Sequence, residues 1–153
     1  MLFVGINPSL WSGAVGHHFA RPGNRFWRVL HAAGFTERVL SPAQGTELLR
    51  RKIGITNLVN RATASADELE VAQLRRGAGR VEAKVRRYRP KVVAFVGMGA
   101  YRNAFGRPRA RGGRQEEKLT GATIWVLPNP SGRTAGYQMP ALTRAFRDLR
   151  RSL

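Results

Sequence analysis

Short apolar runs that end at Gly, Pro or Asn recur along the chain and divide it into elements. Met1-Leu2-Phe3-Val4 runs into Gly5-Ile6-Asn7-Pro8-Ser9, and Ile124-Trp125-Val126-Leu127 runs into Pro128-Asn129-Pro130-Ser131-Gly132. Such runs read as buried strands delivering the chain to loops. The pattern predicts strands over Leu2–Ile6, Ile53–Leu58, Lys91–Val96 and Thr123–Leu127. The third of these is nearly all apolar, as a strand covered on both faces should be.

Between the strands the apolar spacing becomes helical. Asn24 can cap a helix with Phe26, Trp27, Leu30 and Ala33 on its inner face, ended by Gly34. Pro42 to Lys52 forms a second candidate, with Leu48 and Leu49 facing inward. Asp67–Leu74 and Ala78–Tyr88 read as two short helices separated by Gly77 and Gly79, and Pro90 stops the second. Gly99–Phe105 is a short helix. Pro140 to Arg151 places Leu142, Ala145, Phe146 and Leu149 on one stripe. Arg107–Lys118, basic and containing Gly112 and Gly113, fits neither period and reads as a mobile loop.

Strands alternating with helices predict an α/β fold with a mainly parallel sheet of four strands, in a single domain over 1–153. In such sheets ligands bind outside the carboxyl ends of the strands. Asn7 and Asn129 both stand there, each followed by Pro and Ser. Two readings follow. Asn, Pro, Ser and Gly are ordinary turn formers; alternatively, two loops meet over one pocket. The first strand begins at residue 2, so either the domain starts abruptly in its core or the true start lies upstream.

Composition narrows the class. At 153 residues, with 42% hydrophobic and 24% charged residues, the chain can bury a core. No apolar run approaches a membrane span, and the N-terminal run is too short for a secretory leader. The expectation is a cytoplasmic protein. There are no cysteines, which removes disulfides, thiolate nucleophiles, thiolate zinc sites and iron–sulfur clusters. Lys and Arg number 27 against 9 Asp and Glu, a net charge of +18. A field of that sign attracts polyanions, nucleic acid foremost. Biased genomic base composition also enriches Arg over Lys, and only Lys52, Lys84, Lys91 and Lys118 are lysines. That bias leaves the shortage of acids unexplained.

Gly16-His17-His18-Phe19-Ala20-Arg21-Pro22-Gly23-Asn24-Arg25-Phe26-Trp27 opens from a Gly-rich loop directly into a helix. With GINPS before it, and ITNLVNRAT and LPNPSG after it, the chain resembles the mismatch-specific uracil/thymine DNA glycosylases of the uracil-DNA glycosylase superfamily. The resemblance covers almost the whole chain. It implies a three-layer α/β/α sandwich, no metal and no cofactor, and a monomer acting on double-stranded DNA with G·U or G·T mismatches.

Site residues follow from the same resemblance. Asn7 matches the catalytic amide that orients the attacking water, and Thr63 a hydroxyl that helps hold it. Phe19 matches the aromatic that stacks on the extruded base, and Asn57 an amide near the pyrimidine edge. Ile6, His18 and Asn129 fall among the base-binding positions. Ser131, Gly132 and Arg133 match the wedge and phosphate contacts. Turn, cap or packing roles remain open for Asn7, Phe19, Thr63 and Asn57, and ordinary loop roles for His17 and His18. Ser9 departs from a common family Gly, Arg133 from the apolar wedge of the bacterial branch, and Arg61 has no assignment. No Lys falls in these motifs, so hydrolysis without lyase activity is expected. The alternatives are a non-catalytic mismatch- or abasic-DNA-binding protein on the same fold, and a glycosylase shifted toward deaminated purines.

Overall fold

The computed structural model describes residues 1–133 and 136–153. Five strands form one sheet: β1 (Leu2–Gly5), β2 (Gly54–Asn57), β3 (Val92–Val96), β4 (Gly113–Leu119) and β5 (Ala122–Leu127). Their order is β2-β1-β3-β5-β4. All neighbours are parallel except β4, which runs antiparallel to β5. Helices α1 (Leu10–Val15), α2 (Phe26–Ala32), α3 (Val71–Tyr88), α4 (Met98–Phe105) and α5 (Met139–Arg151) complete the framework, with 3-10 helices over Pro42–Arg51 and Ala66–Glu68.

Period-two alternation separates the two cores. Ala94, Val96, Trp125 and Leu127 join Phe3 in a core with α2 and α5. Val93, Phe95, Ile124 and Val126 join Val4 in a core with α3 and α4. The sheet is therefore covered on both faces, as expected for a three-layer sandwich. Phe3 sits at the centre of the first core, edge-on to Phe26 at 5.4 Å and stacked on Phe146 at 6.0 Å between ring centroids. Burying rings of this size stabilises the layer by about 1.5–3 kcal/mol each.

Four departures from the sequence pattern have physical causes. The predicted Arg107–Lys118 loop contains β4, a fifth strand at the edge of the sheet. Only Leu119 of β4 is buried, so the strand carries no apolar alternation, and its charges protect an open edge. Helix α1 has no counterpart among the predicted elements either; its apolar residues Leu10, Trp11 and Val15 face solvent, and only Ser12 is buried. The predicted break at Gly77 and Gly79 is absent, because α3 is continuous. A Cβ on Gly77 would lie 2.2 Å from the Leu58 carbonyl oxygen, so this glycine serves close approach rather than a turn. Finally, the Pro42–Lys52 helix is wound as a 3-10 helix that ends with Lys52 in the left-handed region, and the different winding buries Leu48 but leaves the expected inward Leu49 exposed.

The N-cap of α2 is Arg25, without a side-chain cap bond, so Asn24, the expected cap, stands one residue before the cap position. Asn24 Oδ1 accepts from the Phe26 N–H at 2.9 Å.

Candidate active site

β1 lies between β2 and β3, so the chain leaves it toward one side and returns on the other. Such a switch point leaves a crevice beyond the strand ends. The crevice here is a cavity of about 510 Å³. Its walls bring together Ile6, Asn7, His18, Phe19, Asn57, Thr63, Asn129, Ser131 and Arg133, which are far apart in sequence. Of the residues singled out by sequence, Gly132 does not line the cavity. A Cβ there would lie 3.0 Å from the Gly23 carbonyl oxygen, so Gly132 lets two loops touch.

The Asn7 amide is fixed by a complete proton account. The Thr63 hydroxyl donates its only proton to the Ser65 carbonyl at 2.7 Å. Thr63 Oγ1 must therefore accept from Asn7, and Asn7 Nδ2 donates to it at 2.7 Å. Asn7 Nδ2 also donates to the Arg61 carbonyl at 2.9 Å. Both amide protons are spent, which orients the group and turns Oδ1 away from these partners as an acceptor. Thr63 is 4% exposed, and its backbone N–H donates to the Pro8 carbonyl at 3.2 Å, so the anchor is held independently of its hydroxyl. Thr63 thus acts on Asn7; its proton is not available to the cavity. Arg61, unassigned from sequence, supplies the second anchor through its carbonyl, while its Nη2 donates to the Glu68 carbonyl at 3.2 Å.

Asn57 presents a different picture. It ends β2 opposite Gly5, and a Cβ on Gly5 would lie 2.5 Å from its Oδ1. Glycine at position 5 is what leaves room for this amide. Among the described residues, no hydrogen bond occupies the Asn57 side chain.

Phe19 is in the left-handed region, with φ 51°. That conformation costs a non-glycine residue about 1–2 kcal/mol. Hydrogen bonds on both sides hold it: Trp27 Nε1 donates to the His18 carbonyl at 3.2 Å, and the Ala20 N–H donates to Ser12 Oγ at 3.0 Å. One ring face stacks on Phe26, with centroids 4.0 Å apart. Core packing and cavity wall are thus both true of this residue.

His18 is exposed at the cavity mouth, yet crowded by the surrounding walls. Partial desolvation, and secondarily the charge of Lys84, lowers its pKa below the ordinary 6.5. The neutral imidazole is favoured at pH 7.

The second Asn-Pro-Ser loop is built differently from the first. Asn129 Oδ1 accepts from the Ser131 N–H at 2.9 Å, so this amide oxygen shapes its own turn. Arg133 donates from its backbone N–H to Ser131 Oγ at 3.3 Å and from Nη1 to the Ala64 carbonyl at 3.0 Å. The arginine side chain thus spans from one wall to another. The wedge positions beyond it, 134 and 135, lie outside the described residues.

Sequence reasoning passed over Arg25 and Ser12. Arg25 donates from Nε to the Pro130 carbonyl at 3.2 Å, from Nη1 to the Tyr137 carbonyl at 2.6 Å and from Nη2 to the Ser131 carbonyl at 2.9 Å. It straps the second loop to the start of α2. Ser12 Oγ accepts from both Ser9 Oγ and the Ala20 N–H, joining α1 to the Phe19 loop. An arginine beside a helix cap carries no local signal of a strap that reaches more than 100 residues along the chain.

The cavity wall holds two arginines, Arg21 and Arg133, and among its described residues one carboxylate, Asp67. An electropositive crevice with fixed amides suits an anionic substrate read through hydrogen bonds. The family model of the Uracil DNA glycosylase superfamily matches residues 1–150. Members of that superfamily are DNA glycosylases, hydrolases of base excision repair. With nearly the whole length matched, the chain belongs to the uracil DNA glycosylase superfamily.

Proposed function

We propose that this protein is a monofunctional glycosylase for uracil mispaired with guanine in duplex DNA, with thymine and modified pyrimidines opposite guanine as minor substrates. The observation that carries the reading is the oriented Asn7 amide, with both protons spent and Oδ1 left as an acceptor.

A stacked base is out of reach, so the nucleotide must be extruded into the cavity. Extrusion costs least at a mispair, which favours mismatched DNA. Arg133, freed from the Ala64 carbonyl, is long enough to fill the gap left in the duplex. The free face of Phe19 stacks on the pyrimidine, worth about 1–3 kcal/mol. Asn57 offers a donor and an acceptor to the pyrimidine edge.

Asn7 Oδ1 accepts a hydrogen bond from water and aims its oxygen at C1′. The C1′–N1 bond breaks, and its electron pair leaves with uracil. The water oxygen bonds to C1′, and its proton passes to solvent or to the departing base. Backbone N–H groups around Phe19, apart from that of Ala20, which is spent on Ser12 Oγ, can stabilise the uracil anion. An amide cannot take up the proton, so the chemistry rests on position and electrostatics, and a modest rate is expected.

Duplexes carrying one G·U, A·U or G·T pair, treated with alkali after incubation, test the reading. Cleavage at G·U that appears only after alkali is expected, and Asn7→Ala should lower its rate about 10²- to 10³-fold while retaining DNA binding. Full rate in Asn7→Ala, or strand cleavage without alkali, would overturn the proposal. Binding without excision in every lane would favour a non-catalytic mismatch binder.

A further inference from the structure

We propose that the Arg107–Arg114 rim, at the antiparallel edge of the sheet, is a second contact surface for duplex DNA. It would grip backbone phosphates several nucleotides from the extruded base. The inference rests on duplex DNA being the partner, and extends the interface well beyond the cavity.

The rim follows α4 and leads into β4. It lines a separate concavity of about 500 Å³, with Arg107, Arg109, Arg111 and Arg114 in its walls beside Glu116 and Glu117. Arg107 is paired with Glu117 at 3.4 Å. Among the described residues Arg109, Arg111 and Arg114 have no acidic partner, and all three are exposed. Four arginines against two carboxylates leave more positive charge than the acidic residues of the rim neutralise.

The rim's own scaffold is well defined. Arg102 donates from Nε and Nη2 to the Ala110 carbonyl at 2.9 and 2.6 Å, holding the segment against α4. Gln115 Nε2 donates to the Arg111 and Gly113 carbonyls at 2.8 and 2.9 Å.

Placement gives the rim its partner. Gly113 pairs with Val126 and Arg114 with Trp125, at the carboxyl end of β5. Val96, at the carboxyl end of β3, and Asn129, just beyond β5, both line the cavity. The upper end of the rim therefore shares one end of the sheet with the cavity. From β1 to β4 is three strand spacings, about 14 Å. Successive phosphates along one DNA strand rise about 3.4 Å, so a duplex crossing the strand ends would bring phosphates about four nucleotides from the base over this edge. A cluster of arginine forks on a concave wall suits phosphate oxygens.

The test uses the full chain and undamaged duplex, so it does not depend on catalysis. Binding is measured by fluorescence anisotropy across a salt series for Arg109→Gln/Arg111→Gln/Arg114→Gln. A charge-matched control, Arg50→Gln/Arg87→Gln/Arg151→Gln, removes exposed arginines near the opposite end of the sheet. Thermal melting verifies that both fold. The rim variant should bind at least tenfold more weakly. Its slope of log affinity against log salt should flatten by about 0.9 for each phosphate that the variant no longer neutralises. The control should keep most of both. Equal losses in the two variants would mean net charge alone is at work, and an unchanged slope in the rim variant would mean that the rim touches no phosphate; either overturns the proposal. Failure of uracil excision with the rim effect intact would remove the proposed substrate and leave the surface standing.

Discussion

Asn7 and Asn57 stand at the exits of neighbouring parallel strands and face the same cavity, yet they are held in opposite ways. Asn7 is fixed through its own side chain, whose protons go to the Arg61 carbonyl and Thr63 Oγ1. Asn57 is fixed through its backbone. Its strand pairs in register with β1, and the Leu58 carbonyl beside it accepts from Arg80 Nη2 at 3.2 Å and lies under Gly77. One amide is locked with a single atom to spare. The other is delivered to the cavity with its polar atoms unspent. A group that aims water needs the first arrangement, because misplacement is costly. A group that reads a base needs the second, because its hydrogen bonds must be made with the ligand.

The largest test of this contrast sets Thr63→Val against Asn57→Ala. Thr63→Val removes the acceptor that locks Asn7. The excision rate should fall about 10- to 100-fold, and stability by about 1–3 kcal/mol, with uracil selectivity retained. Thr63→Ser should restore most of the rate. Asn57→Ala should change stability by less than about 0.5 kcal/mol and instead erode selectivity for uracil over cytosine. Rates on paired substrates and denaturant melts read both. If Asn57→Ala proved as destabilising as Thr63→Val, the two amides would not differ as described.

Next in size is the backbone seat of Asn57. Gly77→Ala puts a methyl group into the Leu58 carbonyl, so it should cost at least about 1–3 kcal/mol and displace the strand exit. Gly79, two positions on in the same helix, has open space around it. Gly79→Ala should stabilise by about 0.5–1 kcal/mol, through helix propensity. Chemical melts of the two variants should therefore move in opposite directions.

The smallest effect concerns His18. Its folded-state pKa is lowered from 6.5, so below that value the unfolded chain binds more protons than the folded one. Stability should be full above pH 6.5 and decline as pH falls below it. The contribution is small because the ring is partly exposed. His18→Gln should flatten this part of the stability–pH profile. An unchanged profile would remove the crowded-imidazole account.

Much of this is legible in the chain. The cores follow from the continuous apolar runs of β3 and β5, which need cover on both faces, and from the stripe Leu142, Phe146, Leu149 in α5. The motifs around Asn7, Phe19, Asn57 and Asn129 converge on one cavity. The elements that escape a sequence reading make little use of hydrophobic periodicity: β4 is buried only at Leu119, and α1 only at Ser12. Gly77 misleads because a glycine that permits contact and a glycine that permits a turn look the same in one dimension.

Sequence by itself determined the layers, the parallel core of the sheet and the places where polar residues interrupt apolar runs. These depend on local periodicity, which each segment carries within itself. Tertiary structure decided which atoms are spent and which are free. Asn7 owes its orientation to Arg61 and Thr63, more than 50 positions away, and the second loop owes its anchorage to Arg25, more than 100 positions away. Hydrogen-bond accounts close only when distant partners meet, and the residual valence of one amide oxygen is settled by that closure.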